Sequence, residues 1–158
     1  MTKYDDASWH YGGDFPEELP QKNSATHTGM FLNWCIEKGF VSDEFKQDIE
    51  EEIERLKRRE ITGAEFILES MDGKFSDYDL NNLGNAFAKD YYVDDTDFAN
   101  KFSSFATDYI NLFDSIAEES DFEYETFYHI EDTYQNYDLM KQIIDHRFQE
   151  WQEYKNLN

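Results

Sequence analysis

The chain has 158 residues, of which 39% are hydrophobic and 18% aromatic, enough for one folded domain with a sizeable core. Its 36 acidic residues outnumber the 14 basic ones and give a formal net charge of -22. Because that charge repels phosphates, it argues against nucleic acid and against an anionic membrane surface as direct partners.

The chain opens with the irregular segment KYDDASWHYGGDFPEELP, residues 3–20, which contains both prolines of the sequence. No basic region precedes an apolar run, and no stretch approaches the roughly 20 apolar residues of a membrane-spanning helix, so we expect a cytoplasmic protein. We predict that residues 1–22 form an N-terminal clasp over a helical bundle. Within this clasp we expect Trp9 to be mostly buried. The residues assigned structural roles in this clasp are Tyr4, Asp5, Asp6, Trp9, His10 and Asp14.

The rest of the chain, residues 23–158, predicts an all-α bundle of about five to seven helices within a single domain. The first helix is expected over residues 26–38, where it buries the only cysteine, Cys35, as an inert thiol. The second begins at Ser42, whose side chain can cap the turn that follows. Thr62 and Glu65 have the spacing of a capping box and predict the start of a third helix.

Three further helices are predicted near residues 76–91, 97–117 and 138–155, each with apolar residues three and four positions apart. No window shows sustained strand alternation, although residues 122–130 could pass for a short strand. Charge is uneven, because residues 61–140 hold 19 acidic residues and three basic ones.

An acidic segment rich in aromatic residues, 94–138, is the most unusual part of the sequence. Aromatic residues at helical spacing usually face the core, but those of residues 121–138 cannot all share one face with it. Tyrosine is enriched at protein interfaces, so the segment is a candidate surface for a basic partner, with packing in the chain's own core as the alternative. The candidate partner-binding residues are Asp94, Asp95, Asp97, Asp121, Glu123, Tyr124, Glu125 and Tyr128.

An enzymatic alternative uses the histidines and carboxylates near the N-terminus, which are residue types that bind zinc or non-haem metals. Their spacing matches no metal-binding signature, so a metal-dependent hydrolase is the second hypothesis and a structural role the first. The residues concerned are Asp5, Asp6, His10, Asp14 and His27. The acidic runs at 72–79 and 94–97 do not fit a calcium-binding loop. We therefore assign no catalytic residue, no metal and no cofactor.

The stretches YDDASWHYGGDFPEELP and ATHTGMFLNWCIEKGF resemble the signature of a family of small, acidic bacterial domains of unknown function. The resemblance covers roughly residues 4–45. Members of that family often sit beside polymorphic or type VI secreted toxins, and some look like cognate immunity proteins. The resemblance thus implies a protein that binds and neutralises a toxin, whereas a regulatory or scaffold protein for another basic partner is a further alternative.

Overall fold

The computed structural model describes residues 2–12, 15–120, 124 and 126–156, and within them the fold is mostly α-helical. A two-stranded antiparallel sheet joins β1 (Lys3–Asp6) to β2 (Lys74–Ser76). The α-helices are α1 (Ala7–Tyr11), α2 (Thr26–Glu37), α3 (Asp43–Asp48), α4 (Glu50–Lys57), α5 (Gly63–Ser70), α6 (Asn82–Tyr91), α7 (Asp97–Lys101), α8 (Phe105–Glu119) and α9 (Tyr134–Tyr154). The predicted fold class, all-α with an N-terminal clasp, is confirmed.

Helix α2 lies at the centre of the core, with every residue from Thr26 to Ile36 buried. A helix that is buried on all sides has no solvent face and must be surrounded by other elements. Phe31 packs against rings from β2, α6 and α8, and Cys35, one helical turn further along α2, is fully buried. Burial raises the pKa of the Cys35 thiol well above its ordinary value, so the thiol stays protonated at neutral pH. The predicted burial of this cysteine is confirmed.

Two glycines allow α2 and α5 to approach each other at backbone distance. A Cβ atom on Gly63 would lie 2.1 Å from the carbonyl oxygen of Gly29, and one on Gly29 would lie 2.3 Å from the amide nitrogen of Ala64. Both neighbours are backbone atoms, which cannot move aside as a flexible side chain can. This close approach fixes the first turns of α2, which carry part of the candidate site.

The structure has more helices than the five to seven predicted, because two predicted helices are each divided. The helix that starts at the Ser42 cap breaks at Ile49, whose backbone leaves the helical region with φ -135° and ψ 41°. The helix predicted over residues 97–117 breaks before Ser104, whose side chain accepts a hydrogen bond from the amide of Thr107 and caps α8. With the short α1, the described residues form nine α-helices.

The N-terminal clasp is held by β1, by α1 and by the turn of 3₁₀ helix at Gln21–Ala25. Asp6 caps α1 by accepting a hydrogen bond from the amide of Ser8. The prediction that Trp9 is mostly buried is wrong, because 56% of this residue is exposed. A single turn of helix can turn only one face inward, and here that face carries Ala7.

The region suggested as a short strand, residues 122–130, lies partly outside the described residues, and within its described part Phe127–His129 form a turn of 3₁₀ helix. Thr126 caps this turn by accepting a hydrogen bond from the amide of Tyr128. Among the described residues, no helix is both long and apolar enough to cross a membrane.

Candidate functional site

A buried carboxylate, that of Asp5, lies at the centre of the candidate site. Only 7% of Asp5 is exposed, and its Oδ2 accepts hydrogen bonds from the hydroxyls of Tyr92 at 2.6 Å and of Thr28 at 3.0 Å. Its Oδ1 accepts one from the amide of Asp6 at 2.9 Å. These donors come from β1, from α2 and from the residue after α6, so Asp5 joins the clasp to two parts of the bundle.

Two histidines complete the surroundings of this carboxylate. His10, on α1, places Nε2 2.7 Å from Oδ1 of Asp5, and His27, on α2, places Nε2 3.1 Å from Oδ2. The imidazole rings lie edge to face with their centroids 4.7 Å apart. Asp5, His10 and His27 are hereafter called the Asp–His cluster.

The other ring nitrogens of the two histidines differ in their surroundings. Nδ1 of His10 lies 2.8 Å from the hydroxyl of Tyr128, with which it shares a hydrogen bond. Nδ1 of His27 is buried and has no hydrogen-bond partner among the described residues. Because a buried polar atom without a partner is costly, this nitrogen is the one unsatisfied group of the cluster.

The cluster keeps its carboxyl ionised and disfavours the charged form of its buried histidine. Burial by itself would raise the pKa of Asp5, but the hydrogen bonds from His10 and His27 outweigh burial and hold it well below its usual range. Burial lowers the pKa of His27, and this effect exceeds the opposing attraction of Asp5. Burial also raises the pKa of the Tyr92 hydroxyl well above its ordinary value, so this hydroxyl stays a hydrogen-bond donor at neutral pH.

A cavity of about 440 Å³ adjoins the Asp–His cluster. The three cluster residues line it together with Tyr92, and Asp94 lies on its wall. The structure thus brings the N-terminal cluster and the acidic turn of the 94–138 segment, which the sequence separated by almost ninety residues, to one place. Other lining residues are Thr2, Lys3, Tyr4, Val93, Phe105, Ala106 and Phe127.

The predicted partner-binding residues fall into three groups. Asp94, Asp95 and Asp97 are exposed in the turn between α6 and α7 and at the start of α7. Tyr124 and Tyr128 are half-buried, and Tyr124 packs against the core. The remaining candidates lie outside the described residues: Asp121, Glu123 and Glu125.

Most tyrosines of the 121–138 stretch whose contacts are described serve packing. Tyr128 contacts the ring of Phe15 besides its bond to His10. The hydroxyl of Tyr134 donates to the carbonyl oxygen of Ile61 at 2.7 Å, and that of Tyr137 donates to Glu37 at 2.6 Å. These contacts favour the packing alternative for the tyrosines and leave the carboxylates as the exposed feature.

The residues that were assigned structural roles in the N-terminal clasp also differ in their placement. Tyr4 is buried and its hydroxyl donates to the side-chain oxygen of Asn85 at 2.6 Å. Asp6 accepts from Ser8 and pairs with Lys3 at 2.8 Å. These contacts join both residues to their neighbours, and their structural role stays a prediction. Asp14 lies outside the described residues.

Sequence reasoning missed Tyr92 and Thr28 as members of the site. Both are buried, and nothing in their spacing along the sequence distinguishes them from ordinary core residues. Of the five residues in the metal hypothesis, Asp5, His10 and His27 come together. Asp6 instead caps α1.

The fold and the site define a mostly α-helical protein whose N-terminal clasp holds a buried carboxylate between two histidines beside a cavity. The chain belongs to the family described as a domain of unknown function, DUF7832, whose model matches residues 3–130. That match spans the clasp, the Asp–His cluster and the helices through α8. No curated protein and no solved structure matches the chain.

Proposed function

We propose that the protein binds and neutralises a basic protein partner by direct contact, as an immunity protein of the cytoplasm does with a cognate bacterial toxin. The observation that carries the proposal is the acidic turn, defined as Asp94, Asp95 and Asp97, whose carboxylates are all exposed. Within the part of the chain that the structure describes, no ion pair involves them, so they are available to an external cation.

Several cations elsewhere in the structure form ion pairs with carboxylates of the chain itself. Arg147 pairs with Asp108 at 2.9 Å, and Lys141 pairs with Glu37 at 2.9 Å. Cations that are paired in this way do not neutralise other carboxylates, so the excess of negative charge remains on the surface. A surface with a single sign of charge speeds the encounter with a partner of opposite sign.

Apolar side chains accompany the acidic turn, as a specific interface requires. Val93, directly before the turn, is 39% exposed, and Ile110, on the outer face of α8, is 42% exposed. Ile110 lies one helical turn after Ala106, which lines the same cavity as Val93. Charges would steer the partner here, while apolar contacts would slow its dissociation.

Trp9 adds a second candidate anchor. It is more than half exposed, and Nζ of Lys3, a residue of the cavity wall, lies 5.4 Å from the centroid of its ring. Tryptophan is enriched among the residues that dominate binding energy at interfaces. Its exposure thus supports a role in contact with a partner.

The test uses the product of the reading frame next to this gene as the partner. If that product is toxic when expressed alone, co-expression of this protein should restore growth. Replacing the acidic turn by asparagine (Asp94→Asn, Asp95→Asn, Asp97→Asn) should slow association about tenfold at low salt and flatten its salt dependence. The fold should be unaffected, because the three side chains are exposed.

A matched control removes the same charge from another surface through Glu44→Gln, Glu51→Gln and Glu54→Gln, three exposed residues of α3 and α4. This control should change the association rate much less. Equal effects of the two triple variants would show that only net charge matters. Failure of the protein to bind or to protect against the neighbouring product would overturn the proposal.

A further inference from the structure

The separations within the Asp–His cluster are close to those of ligands around a single metal ion. Two ligand atoms at about 2.0–2.1 Å from an ion lie about 2.8–3.4 Å apart when they subtend 90–110° at it. Nε2 of His27 lies 3.1 Å from Oδ2 of Asp5, within that range, and Nε2 of His10 lies 2.7 Å from Oδ1, just below it. The candidate ligand atoms of the three residues all lie within 4.8 Å of one another.

Two imidazoles and one carboxylate form a donor set that selects for particular metals. Imidazole nitrogen favours first-row transition ions such as Zn²⁺ and Fe²⁺, whereas Mg²⁺ and Ca²⁺ prefer sites made of oxygen atoms. Three protein ligands also leave coordination positions open, as in catalytic rather than structural metal sites. The cavity of about 440 Å³ lies beside the cluster and gives a small ligand access to such a position.

The groups around the cluster can support its members as metal ligands. If Nε2 of His10 binds an ion, its ring proton moves to Nδ1 and can be donated to the hydroxyl of Tyr128, 2.8 Å away. Tyr92 and Thr28 already donate to Oδ2 of Asp5 and orient the carboxylate.

His27 is a deeply buried ligand candidate, with only 5% of the residue exposed. Asp5 is its hydrogen-bond partner at Nε2, and Nδ1 has none among the described residues. A metal–nitrogen bond at Nε2 would offset part of the cost of burying the ring, although it would not pair Nδ1.

We propose that Asp5, His10 and His27 bind one divalent first-row transition-metal ion, with an open coordination position toward the cavity. The site uses other residues than the acidic turn, although both border the same cavity, and it does not depend on the proposed protein partner. An ion here would join β1, α1 and α2 and so lock the clasp onto the bundle.

The test strips the full-length protein with a chelator and titrates it with Zn²⁺, Co²⁺ and Mg²⁺ by calorimetry. We expect one equivalent of Zn²⁺ or Co²⁺, a rise of the thermal midpoint with metal concentration, and no binding of Mg²⁺. Bound Co²⁺ should give visible absorption bands without a thiolate charge-transfer band, since the only cysteine is buried in the core.

His10→Ala should weaken binding of Zn²⁺ more than tenfold, whereas His146→Ala, at an exposed histidine of α9, should leave it unchanged. If His10→Ala does not fold, Tyr128→Phe keeps the ring and removes only the hydroxyl, and we expect about tenfold weaker binding. Absence of stoichiometric Zn²⁺ and Co²⁺ binding by the wild-type protein would overturn the proposal. Binding that survives in a folded His10→Ala variant would overturn it equally.

Discussion

Two buried aspartates, one at each end of the same tyrosine pair, have very different surroundings. Tyr91 donates to Asp108 at 2.7 Å, and its neighbour Tyr92 donates to Asp5 at 2.6 Å. Asp108 also accepts two hydrogen bonds from the guanidinium of Arg147, at 2.9 and 3.1 Å. Asp5 has two histidines in place of an arginine.

The difference between these partners suggests different roles for the two aspartates: Asp108 belongs to a structural ion pair, whereas the partners of Asp5 can change their protonation or bind a ligand. The arginine is always charged and holds Asp108 bidentately, so that pair ties α8 to α9 with no group left to bind a ligand. The histidines of Asp5 can exchange a proton between their ring nitrogens or ligate a metal, and a cavity lies beside them. A buried carboxylate therefore indicates function only when its partners can change state.

The largest effect is expected from breaking the Asp108 pair. Arg147→Met keeps the aliphatic part of the side chain but leaves a buried carboxylate without its cation, at a cost of about 3 kcal/mol in the free energy of unfolding. Arg59→Met is the matched control, because Arg59 pairs bidentately with Asp138 at 2.7 and 3.0 Å on the surface. Exposed pairs contribute about 1 kcal/mol or less.

Chemical denaturation of both arginine variants at neutral pH provides the comparison. Equal losses of stability would contradict the assignment of the Asp108 pair as a structural element of the core.

Removing the hydroxyls of the adjacent tyrosines should have smaller effects on stability, and the two variants serve as controls for each other. Tyr91→Phe should cost about 2 kcal/mol, since Asp108 then keeps only Arg147 as a donor. Tyr92→Phe should cost about 1 kcal/mol, because His10, His27 and other donors to Asp5 remain. Urea unfolding should therefore show a larger loss in the free energy of unfolding for Tyr91→Phe than for Tyr92→Phe.

The same two tyrosine variants also distinguish the Asp5 site from the Asp108 pair in their affinity for metal. Tyr92→Phe should weaken Zn²⁺ binding about tenfold, because the hydroxyl orients a ligating carboxylate, whereas Tyr91→Phe should not change it. A reversed order of stability losses, or equal metal affinities, would remove the distinction between the two aspartates.

A third carboxylate, that of Asp79, extends the comparison to a carboxyl group that forms no ion pair with any described residue. Burial raises its pKa to about 6, with a further contribution from Asp77, although hydrogen bonds from Ser76 oppose the shift. Since this pKa is above the unfolded value, the folded state takes up the proton first. The contribution of Asp79 to stability therefore rises as the pH falls from about 7 toward 4.

Asp79→Asn should remove that gain while keeping the oxygen that accepts from the amide of Ser76. From pH 7 to pH 5, we expect the wild type to gain about 1 kcal/mol relative to this variant in urea unfolding. The exposed Asp72→Asn serves as the control and should follow the wild type. A variant whose pH dependence matches the wild type would contradict a raised pKa for Asp79.

Local signals in the sequence were sufficient for the starts of α3 and α5. Ser42 and Thr62 cap helices through side-chain hydrogen bonds to residues three positions later, so the information lies within one turn. Apolar spacing likewise placed α2 and α9 within a few residues of their observed bounds. These features depend on neighbours in the chain and not on the rest of the fold.

The breaks within the predicted helices and the exposure of Trp9 depended on packing between distant segments of the chain. Periodicity predicted one helix across Ile49 and another across Ser104, because apolar residues recur without interruption through both breaks. The aromatic character of Trp9 suggested burial, yet the orientation of α1 on β1 turns it to solvent. Propensity and pattern are weak where tertiary contacts decide between two faces.

For the candidate site, the sequence by itself determined the chemical types: carboxylates and histidines near the N-terminus, and an acidic surplus around residue 95. Only the tertiary structure decided that Asp5 meets His27, 22 positions away, and Tyr92, 87 positions away. The physical reason is that these contacts follow from the packing of β1 against α2 and α6. No local hydrogen bond or periodicity encodes that packing.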